Sequence, residues 1–130
     1  MWRQKQLAKG GRLVDLDWLL DFEAGLDWSS LQRLRIEPSG LVILNASLDQ
    51  LSELWTNHLA TNVPLQHLTG RCPWRDFELE VCSSALIPRQ ETELLIDFAL
   101  ERVQDQCVGI WTDLGTGSGA IAVALSRELP

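Results

Sequence analysis

Three glycines stand at alternate positions in Asp113-Leu114-Gly115-Thr116-Gly117-Ser118-Gly119, between an apolar stretch at 107–112 and a second that begins at Ala120. Extended residues around Val108, Ile110 and Trp111 entering such a turn, and Ala120-Ile121-Ala122-Val123-Ala124-Leu125 leaving it, read as strand, turn and helix, the opening unit of a parallel sheet. Glycine accepts positive φ and leaves no Cβ between the main chain and anything bound there, so a nucleotide-like ligand can touch the backbone. Asp113 narrows the choice of ligand. A carboxylate just ahead of the turn repels a pyrophosphate and complements an ammonium or sulfonium charge.

Only this first strand-helix unit follows residue 107. A sheet with one parallel strand satisfies neither its edges nor its faces, so the chain reads as the amino-terminal part of a longer protein, with a first domain complete and a second just begun. The formal charge is −7, and residues 1–12 hold four basic groups and no acid. That short basic start reads as a solvated end, and no basic surface large enough for nucleic acid exists elsewhere. No secretory signal and no apolar run of membrane-spanning length are present, which points to a cytoplasmic protein. Cys72, Cys82 and Cys107 share no pairing motif and read as buried thiols, and with His58 and His67 they offer no metal-ligand spacing.

The first half is helical in pattern. Leu13, Val14, Leu16, Leu19, Leu20 and Phe22 recur at helical intervals up to a stop at Gly25. A second short helix runs from about Asp27 or Ser29 to Leu34, broken by Pro38-Ser39-Gly40, and Leu41 to Leu44 fit either a helical turn or an extended segment. Ser47 with Gln50 forms a capping box that opens a helix carrying Leu48, Leu51, Leu54, Trp55 and Leu59. His58 beside that stripe reads as a rim or hydrogen-bonded residue. Helices this short need one another to cover their apolar sides, so a small bundle is expected.

After Asn62, Pro64 and Thr69-Gly70 the period changes to two. Phe77, Leu79 and Val81 alternate with charged residues as one arm of a hairpin, whose partner is expected to include Leu86 and Ile87 around the turn Cys82-Ser83-Ser84-Ala85. Glu91 to Val103 resumes a helical repeat through Leu94, Leu95 and Phe98. Just ahead of it, Leu86-Ile87-Pro88-Arg89-Gln90-Glu91-Thr92-Glu93 fits a capped helix start, with acids near exposed amides. The same segment, so close to a glycine turn, also fits a second role in which Arg89, Thr92 and Glu93 line a cofactor mouth.

Pro64-Leu65-Gln66-His67-Leu68-Thr69-Gly70, Phe77 and Val81, Leu86 to Glu93, and Asp113 to Gly119, taken in that order, resemble the protein-(glutamine-N5) methyltransferases of peptide chain release factors, the HemK/PrmC type. The resemblance extends from residue 64 to about 125. It implies a multi-domain α+β chain: a helical substrate-recognition domain at 1–72, a β-hairpin connector at 73–89, and at 90–130 the beginning of a Rossmann-like class I methyltransferase domain. It implies S-adenosyl-L-methionine as cofactor, held by Asp113, Gly115, Thr116, Gly117, Ser118 and Gly119 with Arg89, Thr92 and Glu93. The implied substrate is the glutamine of the Gly-Gly-Gln motif in release factors, methylated on its side-chain amide nitrogen. His67 stands where the family commonly has an aromatic residue, and Gln90 where it has a second proline. The family's Asn-Pro-Pro-Tyr motif, which orients the substrate amide, and its ribose-binding acid are expected beyond residue 130, so no catalytic residue is assigned here.

Two other classes fit parts of the pattern. Gly115-x-Gly117-x-x-Ala120 satisfies the Gly/Ala form of the turn in an NAD-type dinucleotide oxidoreductase. A leucine-lined bundle with Trp18, Trp28 and Trp55 also suits a protein-binding module, although core packing is the plainer reading of those tryptophans. A nucleotide hydrolase fits poorly, because Ser118-Gly119-Ala120 supplies no phosphate-binding lysine.

Overall fold

The computed structural model describes residues 2–103 and 109–129. They form two compact units, Met1–Thr69 and Gly70–Pro130.

The first unit is a helical bundle of α1 (Trp2–Leu7), α2 (Leu13–Phe22), α3 (Trp28–Ile36), α4 (Leu48–Thr61) and the short α5 (Leu65–Thr69). Its core joins Leu16, Leu19, Leu20, Ala24, Leu26, Leu31, Leu51, Trp55 and Leu65, so the middle of the apolar spacing of α2 and α4 becomes the buried face. Leu13, Val14 and Leu48 at the helix starts, counted in the same stripes, are exposed, because no neighbour among the described residues covers the first turn there. The ends obey local chemistry. Leu26 N–H reaches the Leu20 carbonyl across Gly25, Asp27 accepts the Ser30 amide at the start of α3, and both halves of the Ser47–Gln50 capping box are made. The Ser30 hydrogen bonds hold the Asp27 carboxyl below its ordinary range. Replacing Ser47 by alanine orphans the Gln50 amide, and urea denaturation is expected to show a loss of about 1 kcal/mol.

The basic start is solvated only in part: Lys5, Lys9 and Arg12 are exposed, but Arg3 and its neighbours are tied to the bundle. Arg3 donates Nε to Asp17 Oδ1 at 2.8 Å and Nη2 to Oδ2 at 2.9 Å, Trp2 Nε1 donates to Ser52 Oγ, and Gln6 is buried. Each contact lies far away in sequence, so periodicity alone gave no sign of it. Arg35 Nη2 adds a second guanidinium to Asp17 at 3.2 Å, and one carboxylate thereby ties α1 and α3 to α2. Residues 41–44 form no helical turn and pair with no strand, and Leu41 and Ile43 are exposed. The turn of α5 follows Pro64, whose carbonyl accepts the His67 and Leu68 amides.

The second unit contains one two-stranded antiparallel sheet among the described residues, β1 (Arg71–Trp74) with β2 (Phe77–Glu80), followed by a 3-10 turn at Gln90–Thr92, α6 (Glu93–Arg102) and α7 (Ala120–Glu128). Phe77, Leu79 and Val81 do share the inner face, but their partner is the segment before them. Arg71 faces Glu80, Cys72 faces Leu79, Pro73 faces Glu78, and Trp74 faces Phe77. The turn is Arg75-Asp76, not the expected Cys82–Ala85. Pro73 hid this arm, because proline argues against a strand. Its position resolves the conflict: Val81 N–H bonds the Gly70 carbonyl, so alternation leaves Pro73 at a non-hydrogen-bonded pair, where an amide would point outward.

Cys72, Trp74, Leu79, Val81, Ile96, Ala120 and Ala124 make the second core. The small residues of α7 are thus its buried ones, as their size suggests. On α6 the expected stripe is corrected. Ile96 is fully buried, whereas Leu94, Leu95 and Phe98 are 54%, 55% and 58% exposed; the hairpin and α7 cover the Ile96 side of the helix. Residues 109–113 carry no strand hydrogen bonding and Ile110 is exposed, since a strand needs a partner. The rest of that expected strand, Cys107 and Val108, lies outside the described residues. No helix among the described residues is long and apolar enough to cross a membrane.

Candidate functional site

The turn before α7 is built by alternating backbone handedness. Gly115, Gly117 and Gly119 sit at φ of 78°, 56° and 79°, while Thr116 and Ser118 keep negative φ. L-residues with side chains resist that left-handed region, so the glycines are required by the path of the chain. The turn closes on itself: Thr116 Oγ1 donates to the Asp113 carbonyl at 2.9 Å, and Gly119 N–H donates to the Thr116 carbonyl at 2.8 Å. A Cβ at Gly115 would meet nothing within 4 Å, and at Gly117 only the Gly115 carbonyl oxygen at 3.8 Å. The bare main chain therefore faces open space. Beside it, Asp113 Oδ2 is buried and has no hydrogen-bond partner among the described residues. An unpaired buried carboxylate oxygen is costly and calls for a donor or a cation.

Arg89, Thr92 and Glu93 come together at the amino end of α6. Trp74 Nε1 donates to the Arg89 carbonyl at 3.3 Å, and Thr92 N–H closes the 3-10 turn onto the same oxygen at 3.0 Å. Glu93 Oε1 accepts the backbone N–H of Arg75 at 3.3 Å. No described hydrogen bond joins this group to the glycine turn, but both precede helices that share a core: Ile96, one turn into α6, is buried in the same cluster as Ala120, the first residue of α7.

The residue that sequence reading missed is Arg75. Its Nη1 donates to Asp97 Oδ1 at 2.8 Å and to the Glu93 carbonyl at 3.3 Å, and the Asp97 bond raises its already high pKa. A two-residue turn at 75–76 is the only clue the sequence offers, and it becomes visible only after the strand with Pro73 is recognised. Nearby, Arg127 Nη2 pairs with Asp76 at 3.0 Å, and its guanidinium lies 5.2 Å from the centre of the Phe77 ring.

The cysteines divide. Cys72 is buried, which pushes its thiol up. Cys82 is exposed, contrary to the buried reading, and hydrogen bonding from Ser84 pulls its thiol down. Its place after Val81, where the strand pairing has ended, takes it out of the core. Cys107 lies outside the described residues. In the helical unit His58 Nδ1 lies 2.8 Å from the Val63 carbonyl, the hydrogen-bonded role expected of it. Trp55 is fully buried, and Trp28 is 64% exposed with the Arg35 guanidinium 5.5 Å from its ring centre.

No family model matches the chain. Individual proteins do. It is 61% identical to the release factor glutamine methyltransferase of Prochlorococcus marinus over 132 residues, covering 100% of this chain and 45% of that protein. It is 39% identical to that of Gloeobacter violaceus over 133 residues, 99% of this chain and 45% of the relative. With that of Thermosynechococcus vestitus the identity is 48% over 119 residues, 91% and 40% of the two. The chain spans about half the length of the curated relatives it matches. These relatives lend no support to the oxidoreductase reading. With a match that runs its whole length, the chain belongs to the release factor glutamine methyltransferase family.

Proposed function

We propose that this chain is part of an S-adenosylmethionine-dependent enzyme that methylates the side-chain amide nitrogen of the glutamine in the Gly-Gly-Gln motif of peptide chain release factors. One observation carries the cofactor half of this reading: a turn with three left-handed glycines opens onto free space beside the unpartnered Asp113 Oδ2. The residues fit the group. When bound, S-adenosylmethionine supplies a methyl made electrophilic by the sulfonium charge. Asp113, Gly115, Thr116, Gly117, Ser118 and Gly119 form one side of its pocket. The glycines let it reach the main chain, and the acid at the head of the turn favours a cation over a polyphosphate. Arg89, Thr92 and Glu93 form the mouth.

Residues 1–72 act as the release-factor recognition domain, 73–89 as the connector, and 90–130 as the beginning of a Rossmann-like domain whose glycine turn follows Asp113. An amide nitrogen is a weak nucleophile because its lone pair is delocalised into the carbonyl, so catalysis requires the amide to be held in line with the methyl and its delocalisation reduced by hydrogen bonds. That task falls to residues past 130 in the intact protein, which works in the cytoplasm.

The test is mass spectrometry of the Gly-Gly-Gln peptide from a release factor incubated with the intact protein and S-adenosylmethionine. A gain of one methyl on the glutamine is expected; an unmodified peptide under conditions where the cofactor binds overturns the substrate assignment.

A further inference from the structure

We infer that Arg75, at the tip of the hairpin, is a positioning residue that fixes the Glu93 carboxylate to receive a cationic group, the ammonium or sulfonium of the methyl donor. The inference rests on Glu93 lining the donor pocket, as proposed above.

Three hydrogen bonds run from Arg75 to the first turns of α6. Its backbone N–H holds Glu93 Oε1, and Nη1 spans the Glu93 carbonyl and Asp97 Oδ1. Oε2 of Glu93 is left without a partner among the described residues, so a carboxylate held by one oxygen presents the other. Two features set this apart from an ordinary surface ion pair. Arg75 occupies φ of 52°, a conformation that suits glycine or asparagine at a hairpin turn, so the turn itself gains nothing from arginine. A cation at the amino end of a helix also opposes the helix dipole, so the stability of α6 does not explain its placement. The side chain is nevertheless folded down to 20% exposure. Its contacts on Glu93 and Asp97 account for that position.

The experiment compares Arg75→Gly, Arg75→Lys, Glu93→Gln and the Arg75→Gly/Glu93→Gln double variant of the intact protein, reading donor Kd, kcat, KM and Tm. Glycine keeps the backbone donor and relieves the left-handed φ. What it loses is the pair of Nη1 bonds that fix the first turns of α6, on which the Glu93 side chain is mounted. Arg75→Gly is therefore expected to leave Tm almost unchanged and kcat at saturation within about twofold, while the Kd and KM for S-adenosylmethionine rise about tenfold. Arg75→Lys, which keeps the cation, recovers most of the loss. The double variant binds no worse than Glu93→Gln alone, the signature of one residue acting through another. An unchanged Kd in Arg75→Gly beside a raised Kd in Glu93→Gln overturns the inference and leaves the pocket assignment standing. Additive losses that track a falling Tm assign Arg75 to structure alone and also overturn it. An unchanged Kd in Glu93→Gln instead removes Glu93 from the pocket.

Discussion

Trp55→Ala is expected to cost the helical unit about 3–5 kcal/mol, the range for deleting a large aromatic side chain from a packed core. Trp55 is fully buried in α4 among leucines of α2, and its indole Nε1 donates to the Gln6 carbonyl at 3.1 Å. Its ring also packs where a Cβ on Gly11 would lie, 2.5 Å from Cζ2. The truncation thus opens a cavity, removes one of the two donors to the Gln6 carbonyl, which keeps the Lys9 amide, and removes the surface on which the Gly11 backbone rests. Whole domains of this size are stable by about 5–15 kcal/mol, so most of the margin disappears. Calorimetry or urea denaturation of the variant is the measurement. Trp28→Ala is the internal control. Its ring is exposed and meets the Arg35 guanidinium, an interaction of about 0.5–1 kcal/mol. Equal losses in the two variants would show that burial of Trp55 is not what holds the bundle.

Gly117→Val is expected to raise the Kd of the intact protein for S-adenosylmethionine by at least about tenfold, with little change in helix content. The backbone at Gly117 is left-handed at φ of 56°, which a β-branched residue resists at a cost of about 1–2 kcal/mol. Inside the chain the new side chain meets little, since the nearest atom to its Cβ is 3.8 Å away. Its bulk falls in the space that the proposed pocket reserves for ligand. Isothermal titration calorimetry beside circular dichroism separates the two effects. Undiminished affinity in a folded Gly117→Val variant is incompatible with a cofactor lying on this turn.

What the residue order revealed, and what it hid, follows from how local each interaction is. The capping box of Ser47 and Gln50, the Asp27 cap, the leucine spacing of α2 and the glycine turn all depend on neighbours a few positions away, and all are present. Contacts between distant segments were invisible. Nothing in Trp2-Arg3-Gln4 announces partners at Asp17 and Ser52. The hairpin arm before Arg75 was concealed by Pro73, and with it the role of Arg75. On α6 the repeat marked several apolar residues without marking which of them the hairpin and α7 would cover. Periodicity reports that a helix has an apolar face, and only the neighbours decide where that face is.

Pro73 has a consequence for how the molecule meets copies of itself. The outer rim of β1 offers a proline ring at one of the two positions, Arg71 and Pro73, where an incoming strand would look for an amide, since the Pro73–Glu78 pair directs its free backbone groups away from β2. A second chain docking along that rim loses a ladder bond midway, and fibril-like stacking through it is broken at its centre.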